Sequence, residues 1–403
     1  MNAEILNVLE QPIFDSAIVN FEKRTHDPYS SKNLNNNDEI HISIQQQDTY
    51  TAPYFSVLYI RGRLCRAADG MPSQTATLDR MGVLLLFSEI RYVMNAETVD
   101  KSRNPGLTAL MKGYASFNQN ECVSLENAGW SPDPHFFDSN GNFDVCIPLK
   151  MCLGFAEDFR KIILNTQQDL ILIRASTDTN AIINTAADEP MKVELERVSW
   201  RVPHVSVAEL QRLQLLKCVN SNIELAIPFR SWELHELPLL PETQTHMWNI
   251  KTSTQLERPR YIIFGFQVAR KNNISKSMSQ FDHCNLNNFK VFLNSESYPY
   301  DNLNIDFSKN FYATLYDMYA QFQSSYYQKE NEPYLTTYTF KHLAPLVVVD
   351  CSCQKEVLKN GAVDIRLEFN TKQNIPKDTA AYCLIIHDKI IRYTPLTSLV
   401  RTY

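Results

Sequence analysis

Apolar and polar residues alternate with a period of two along much of this chain, the signature of strands with one covered face. Ile40, Ile42 and Ile44 are separated by polar residues, and Phe143, Val145 and Ile147 repeat the pattern. Val363, Ile365, Leu367 and Phe369 face one way while Asp364, Arg366 and Glu368 face the other. Tyr54–Arg66 is rich in aromatic and β-branched residues, and Val83–Val93 is a long apolar stretch broken at Ser88-Glu89. Leu170–Ile173 is short and continuously apolar, as expected of a strand covered on both faces. Further strands are predicted over Ile223–Phe229, Thr245–Thr252, Arg260–Arg270, Phe289–Leu293, Thr337–Lys341, Leu346–Asp350, Val363–Phe369 and Thr379–His387.

In Val193–Val202 the phase slips by one residue near Glu196-Arg197: Val193 and Leu195 share one face, and Val198, Trp200 and Val202 the next. A β-bulge produces such a slip. Pro203 is expected to end the run, which places a boundary between a unit at 1–203, carrying an N-terminal arm, and a unit at 204–403. The polar stretch Asn33–Asp38 reads as a loop. Three helices interrupt the strands. Gly154–Asn165 spaces Phe155, Phe159 and Ile162 helically. Ser206–Lys217 opens on a Ser cap with Glu209 three residues later and carries Leu210, Leu213 and Leu216. Asp306–Phe322 sets Phe311, Leu315, Met318 and Phe322 on a stripe that must pack, most simply on its own domain. Eight strands in about 190 residues suit a pair of packed sheets, so the predicted class is all-β: two tandem jelly-roll β-sandwiches with a few short inserted helices. The halves agree in element type without forming a sequence repeat.

Length and composition sharpen this picture. The chain has 403 residues, more than one hydrophobic core ordinarily serves, and is 44% hydrophobic and 21% charged, as globular chains are. Ten glycines leave little room for phosphate-binding loops, whereas 19 Tyr and 21 Phe favour sheet. The net charge is −6 and no basic run occurs, so neither a nucleic-acid arm nor sequence-specific nucleic-acid binding is expected. Nine cysteines are scattered from Cys65 to Cys383, and Cys351-Ser352-Cys353 fits no zinc spacing, so free thiols in a reducing compartment are expected. Glu4 and Glu10 stand where a signal peptide would carry basic charge and an unbroken apolar run. The longest apolar runs, Val83–Phe87 and Leu346–Val349, fall far short of the ~20 residues a membrane span needs. The protein is therefore expected to be made without a signal peptide or a transmembrane segment.

The search for chemistry assigns no residue. None of the nine histidines forms H-x-H or H-x-x-x-H, and no nucleophile-elbow, dinucleotide or P-loop motif occurs. His283 and Cys284 are adjacent, and neighbours on a strand point to opposite faces. The 45 acidic residues read as a solvated surface. Tyr298-Pro299-Tyr300, Tyr326-Tyr327 and Trp248 could stack on sugars, which keeps a carbohydrate-binding β-sandwich module as the alternative, but core or interface roles fit them better. The expectation is no enzyme, no cofactor, and no catalytic, cofactor-binding or metal-ligating residue.

The stretch Arg258-Pro259-Arg260-Tyr261-Ile262-Ile263-Phe264-Gly265-Phe266-Gln267 resembles a strand of double jelly-roll major capsid proteins of Polinton/Maverick-type (adintovirus-like) elements and related DNA viruses. Further similar segments follow in order: Ser279-Gln280-Phe281-Asp282-His283-Cys284, Val291-Phe292-Leu293-Asn294, Tyr298-Pro299, Tyr316-Asp317-Met318-Tyr319, Val349-Asp350-Cys351-Ser352 and Thr379-Ala380-Ala381-Tyr382-Cys383. Ile147-Pro148-Leu149 and Leu153-Gly154-Phe155-Ala156-Glu157-Asp158-Phe159 extend the likeness into the first half, so it covers about Asn142 to the C-terminus. The resemblance implies two upright jelly rolls per chain, a homotrimeric pseudo-hexameric capsomer, assembly into an icosahedral shell, residence in the virion, and penton or minor capsid proteins as further partners.

Overall fold

The computed structural model describes residues 17–29, 34–45, 49–73, 75–130, 136–184, 189–250, 258–353 and 363–402. Glu4, Glu10 and the start of the expected N-terminal arm lie outside the described residues, as do Asn33 and the end of the predicted strand Thr245–Thr252.

The first half supplies β1 (Ile18–His26), β2 (Glu39–Ile44), β3 (Tyr50–Thr51), β4 (Val57–Arg66), β5 (Ala76–Leu78), β6 (Phe87–Met94), β7 (Glu97–Arg103), β8 (Asn142–Pro148), β9 (Gln168–Arg174), β10 (Ile182–Asn184) and β11 (Met191–Val207). The second supplies β12 (Leu225–Leu237), β13 (Thr245–Ile250), β14 (Pro259–Val268), β15 (Leu286–Leu293), β16 (Glu296–Tyr298), β17 (Val347–Asp350), β18 (Ile365–Thr371), β19 (Thr379–Thr394) and β20 (Leu399–Thr402). Helices α1 (Gly82–Leu85), α2 (Pro105–Ser116), α3 (Gln119–Ser124), α4 (Gly154–Asp158), α5 (Glu209–Asn220), α6 (Ala313–Ala320), α7 (Phe322–Tyr327) and α8 (Thr337–Leu343) lie between them.

The main sheets are antiparallel, with orders β1-β11-β4-β8 and β2-β9-β6-β7 in the first half, and β12-β19-β14-β17 and β13-β18-β15-β16 in the second. Setting aside the short strands β3, β5, β10 and β20, each half has eight strands in the same arrangement: first–eighth–third–sixth on one sheet, second–seventh–fourth–fifth on the other. That is the jelly-roll order, and it occurs twice. The alternating positions fill the sandwiches as the pattern requires. Ile40, Ile42, Leu58, Ile60, Val145 and Ile147 are all buried. In the second core Phe264 meets Phe289 and Phe369 at centroid distances of 4.7 and 5.1 Å.

The predicted bulge is present, with the β11–β4 register slipping between Leu195 and Arg197. Pro203 does not end the strand. It pairs with Lys23 of β1, and its carbonyl accepts the Ala52 N–H at 3.1 Å, so the ladder loses one donor and continues to Val207.

Helices show the larger corrections. Thr337–Lys341 is not a strand but most of α8, with the Thr336 side chain accepting the Thr339 N–H. The run of β-branched residues misleads here because one of them is an N-cap. Gly154–Asn165 shortens to α4, and Ile163 instead bridges Thr51. The helix expected from Ser206 starts at Glu209, because Ser206 still belongs to β11. Leu210, Leu213 and Leu216 are exposed on it and no residue of α5 is buried. Asp306–Phe322 is split: Asp306 caps a short 3-10 turn, Asn310 takes a left-handed conformation, and α6 follows. Phe311 is exposed, while Leu315, Tyr319 and Phe322 form the buried stripe. All twelve residues of α2 are buried, so even its polar stripe of Thr108, Lys112 and Ser116 faces protein rather than water.

Candidate functional site at the junction of the two sandwiches

Buried polar groups of the first half, Asp79, Asp100 and Lys112 among them, bond to the second. Asp79, just after β5, accepts the Ser277 hydroxyl at 2.9 Å and the Ser279 N–H at 3.0 Å. Asp100 on β7 accepts the Ser231 hydroxyl of β12 at 2.8 Å and the Phe155 N–H at 2.9 Å, and burial pushes its carboxyl up. Lys112 on α2 donates to Glu157 of α4 at 3.0 Å and to the Tyr327 hydroxyl of α7 at 2.7 Å.

Lys112 is 3% exposed and is boxed in by aromatic rings. Its ammonium lies 4.3 Å from the ring centre of Tyr326, 4.8 Å from Trp232 and 4.9 Å from Tyr327. Burial pulls its pKa down, and Glu157 opposes that shift. Glu157 also accepts both tyrosine hydroxyls, at 2.7 Å from Tyr326 and 2.5 Å from Tyr327, and burial holds both phenols well above their ordinary range. Beside it Arg230 of β12 stacks 3.5 Å over Tyr326 and grips Asp158 with its Nε at 2.8 Å and a terminal nitrogen at 2.5 Å. A buried ion pair adds little net stability over an apolar equivalent, but it penalises every arrangement that separates its members. This cluster therefore fixes how α2 and α4 sit on β12 and α7.

Some of the motif residues singled out in the sequence lie at this junction, and others brace the second half beside it. The Gln267 amide donates to the carbonyls of Met278 and Gln280 at 2.7 and 3.1 Å, tying β14 to the segment before Asp282. Asp282 accepts from Arg270 at 2.8 Å and from the Val268 N–H at 2.8 Å. Tyr114 of α2 donates to the Ser279 carbonyl at 2.8 Å. Two motif glycines are needed for space. A Cβ at Gly154 would lie 1.8 Å from the Arg230 carbonyl oxygen, and one at Gly265 would lie 2.7 Å from Leu346 and 2.8 Å from Phe281.

The residues weighed for chemistry are dispersed. His283 and Cys284 sit in a turn rather than on a strand; His283 stacks on Phe307 at 4.5 Å, and burial lowers the His283 pKa and pushes the Cys284 thiol up to about 12. Tyr326 and Tyr327 belong to the lysine cluster and Trp248 packs against the second core, whereas Tyr300 is exposed. None of the nine cysteines is in a disulfide, and Cys351 is buried while Cys353 is exposed. Among the described residues no three His, Cys, Asp or Glu side chains converge, and no helix is long and apolar enough to cross a membrane. A groove of about 460 Å³ between α6, α7 and β17 is lined by Met318, Phe322, Val348 and Val349, and a cleft of about 220 Å³ separates Gly106 from Lys271 and Tyr382. Asp79, Asp100 and Lys112 escape sequence reasoning because the partners that define the junction lie between 45 and 215 residues away.

Comparison with known proteins agrees with this architecture. No curated protein matches by sequence. The fold is shared with VP54 of PBCV-1, in a crystal structure fitted into a reconstruction of the virophage Sputnik, at TM-score 0.62 and 9% identity over 97% of this chain and 98% of that one. The Faustovirus major capsid protein gives 0.59 and 10% over 96% and 92%, and the mavirus major capsid protein 0.57 and 12% over 99% and 92%. The sequence profile of the double jelly roll-like domain matches residues 77–391. Two sandwiches of one topology, joined through a closed polar junction and matched by that profile over most of their length, make this chain a member of the double jelly roll-like domain family.

Proposed function

We propose that the chain is a major capsid protein that works by self-assembly rather than catalysis: a homotrimer forms a pseudo-hexameric capsomer, and capsomers tile an icosahedral shell. The observation that carries this reading is the doubled eight-strand order within one chain, which aligns over 96–99% of its length with the Faustovirus and mavirus major capsid proteins. Three chains with two like-shaped sandwiches each present six similar corners around a closed threefold axis, and six corners suit a hexagonal lattice. Obligate contacts of this kind commonly bury more than about 2,000 Å² and are apolar. The exposed Leu210, Leu213 and Leu216 of α5 and Ile18, Val19 and Phe21 of β1 offer apolar surface of that sort.

The reading places the protein in the virion, with its own copies as principal partners and penton or minor capsid proteins as further ones. It assigns the source to a Polinton/Maverick-type element or a related DNA virus. It divides the chain into an N-terminal jelly roll with its arm at 1–203 and a C-terminal jelly roll at 204–403, with the end of β11 running past that boundary to Val207. The closed junction, where Lys112, Glu157 and Asp100 are all engaged by neighbours, supports a structural role over an enzymatic one.

The test is the state of the purified full-length chain. Light scattering should give three times the 46.5 kDa chain mass, and electron microscopy should show triangular or hexagonal particles. A monomer that persists at micromolar concentration, with no particles, overturns the proposal.

A further inference from the structure

Two imidazoles meet where the edge strand β1 is fastened to the first sandwich. His26 of β1 and His204 of β11 face each other with their Nε2 atoms 3.1 Å apart, and the Nδ1 of His204 lies 2.7 Å from the Thr49 hydroxyl. The rings are 5.3 Å apart between centroids. His204 is 1% exposed. The rest of β1 has little to hold it: every side chain from Ile18 to Thr25 is exposed. Its attachments include the ladder to β11, the Ala208 N–H on the Ala17 carbonyl at 2.9 Å just before it, the edge-on contact of Phe21 with Phe55 at 5.9 Å, and Asp27 on Arg197 and Ser199 beyond its end.

An Nε2–Nε2 contact at this distance needs one nitrogen to donate and the other to accept. Two neutral rings satisfy it. So does the pair after taking up one proton, because His26 can carry that proton on Nδ1 while its Nε2–H donates to His204. A second proton puts a hydrogen on both facing nitrogens. The bond is then lost and two cations are pressed together in a site where one ring is buried.

The charged neighbours do not relieve this. On β1, Glu22 favours a proton on His204 but is itself held by Arg24, whose charge disfavours a proton on either histidine. Asp27 favours the charged form of His26 but is engaged by the Ser199 hydroxyl at 2.6 Å and the Arg197 guanidinium at 3.1 Å. Around β3 and the start of β9, the small polar pocket on the far side of His204 is lined by Thr49, Thr51, Thr166 and Gln168, with no acid among its lining residues. Burial and the facing ring act in the same direction on His204.

We propose that the His26–His204 pair is an acid-operated latch: it fastens β1 to β11 while the two rings share at most one extra proton, and releases β1 when both are protonated. Release uncovers the edge of β11 and frees the N-terminal end of the chain without unfolding the sandwich. The inference rests on the pair itself and stands whether or not the chain builds a capsid.

Hydrogen–deuterium exchange on the full-length chain tests it, with protection corrected for the intrinsic pH dependence of exchange. Between about pH 7.5 and about pH 4.5, protection across Ile18–His26 should fall at least about ten-fold more than protection across the β12–β19 ladder. In His26→Gln the carboxamide oxygen can accept from His204 in either protonation state, so β1 should keep its protection at the lower pH. Loss of protection spread equally over β1, β12 and β19 in the natural chain overturns the latch. So does a His26→Gln protein that releases β1 as readily as the natural one. Should that variant fail to fold, the comparison of β1 with β12–β19 in the natural chain decides the matter alone.

Discussion

The carboxylate of Asp79 receives the backbone N–H of Ser279 at 3.0 Å, joining the end of β5 to a segment 200 residues further along the chain. The same carboxylate takes the Ser277 hydroxyl and the Arg80 N–H, so a single side chain satisfies three donors at the junction. Asp79→Ala would strand them. With the amide of Ser279 buried, the expected loss is about 2–3 kcal/mol, and Asp79→Asn, which keeps one acceptor oxygen, should lose roughly half as much. Urea unfolding of both variants checks this ordering. Equal stability of Asp79→Ala and the natural chain would show that the crossing bond adds nothing.

A steric prediction concerns Gly154. Its Cβ would sit 1.8 Å from the Arg230 carbonyl oxygen, a backbone atom that cannot swing aside. Gly154→Ala therefore forces α4 away from β12 and disturbs the Arg230–Asp158 and Lys112–Glu157 pairs together. The cost should exceed about 3 kcal/mol, at the upper end for a single substitution. Expression and thermal unfolding of Gly154→Ala beside Gly129→Ala make the comparison, since the nearest atom to a Cβ at Gly129 is 3.9 Å away and its penalty comes only from positive φ. The reverse ranking would contradict the close approach of α4 to β12.

The buried pair Lys112–Glu157 predicts strong non-additivity. Glu157→Leu leaves an ammonium in an aromatic box with one phenol as partner, and should cost about 3–5 kcal/mol. Lys112→Met leaves a carboxylate that still accepts from two tyrosines, and should cost less. The double variant removes both charges and should recover at least about 1 kcal/mol relative to the sum of the singles. A double-mutant cycle by chemical denaturation measures the coupling, and additive single effects would rule out an energetic link.

What was legible in the sequence is what alternation can encode. Ile40, Ile42 and Ile44, and Val363 through Phe369, announced their strands because only one face of each is covered. The phase slip at Glu196-Arg197 gave the bulge for the same reason. Legibility failed where burial was two-sided or where a local signal was overruled. Because α2 is buried all round, its polar stripe marks no solvent-facing side, and a capping threonine disguised α8 as a strand. Pro203 reads locally as a stop, yet the ladder tolerates it because the carbonyl still serves. The junction was beyond reach for a topological reason. Lys112 lies in an apolar run that reads as core, and nothing near it in sequence hints at Glu157, Trp232 or Tyr327, which only the packing of the two halves brings around it.

Acid should weaken the fold progressively, and the sign follows from the histidines. His204 is lowered from 6.5 to about 4, first by burial and then by His26. His26, His235, His283 and His387 are lowered as well, each chiefly by burial. A ring that binds its proton less tightly folded than unfolded leaves stability untouched above 6.5. Below that, the unfolded chain takes up protons the folded one refuses, so stability falls until the folded value is reached and then levels. For His204 the span to about 4 corresponds to about 3 kcal/mol at about 1.4 kcal/mol per unit. Asp100 is displaced upwards from 3.8 by burial, so it acts in the opposite sense, adding stability as the pH falls through its raised value. Urea midpoints at about pH 7.5, 6 and 5 should therefore decline, most steeply below 6.5, and His204→Asn should flatten the slope. A midpoint constant across that range would mean that these rings bind protons as readily folded as unfolded, contrary to the burial of His204 behind β1.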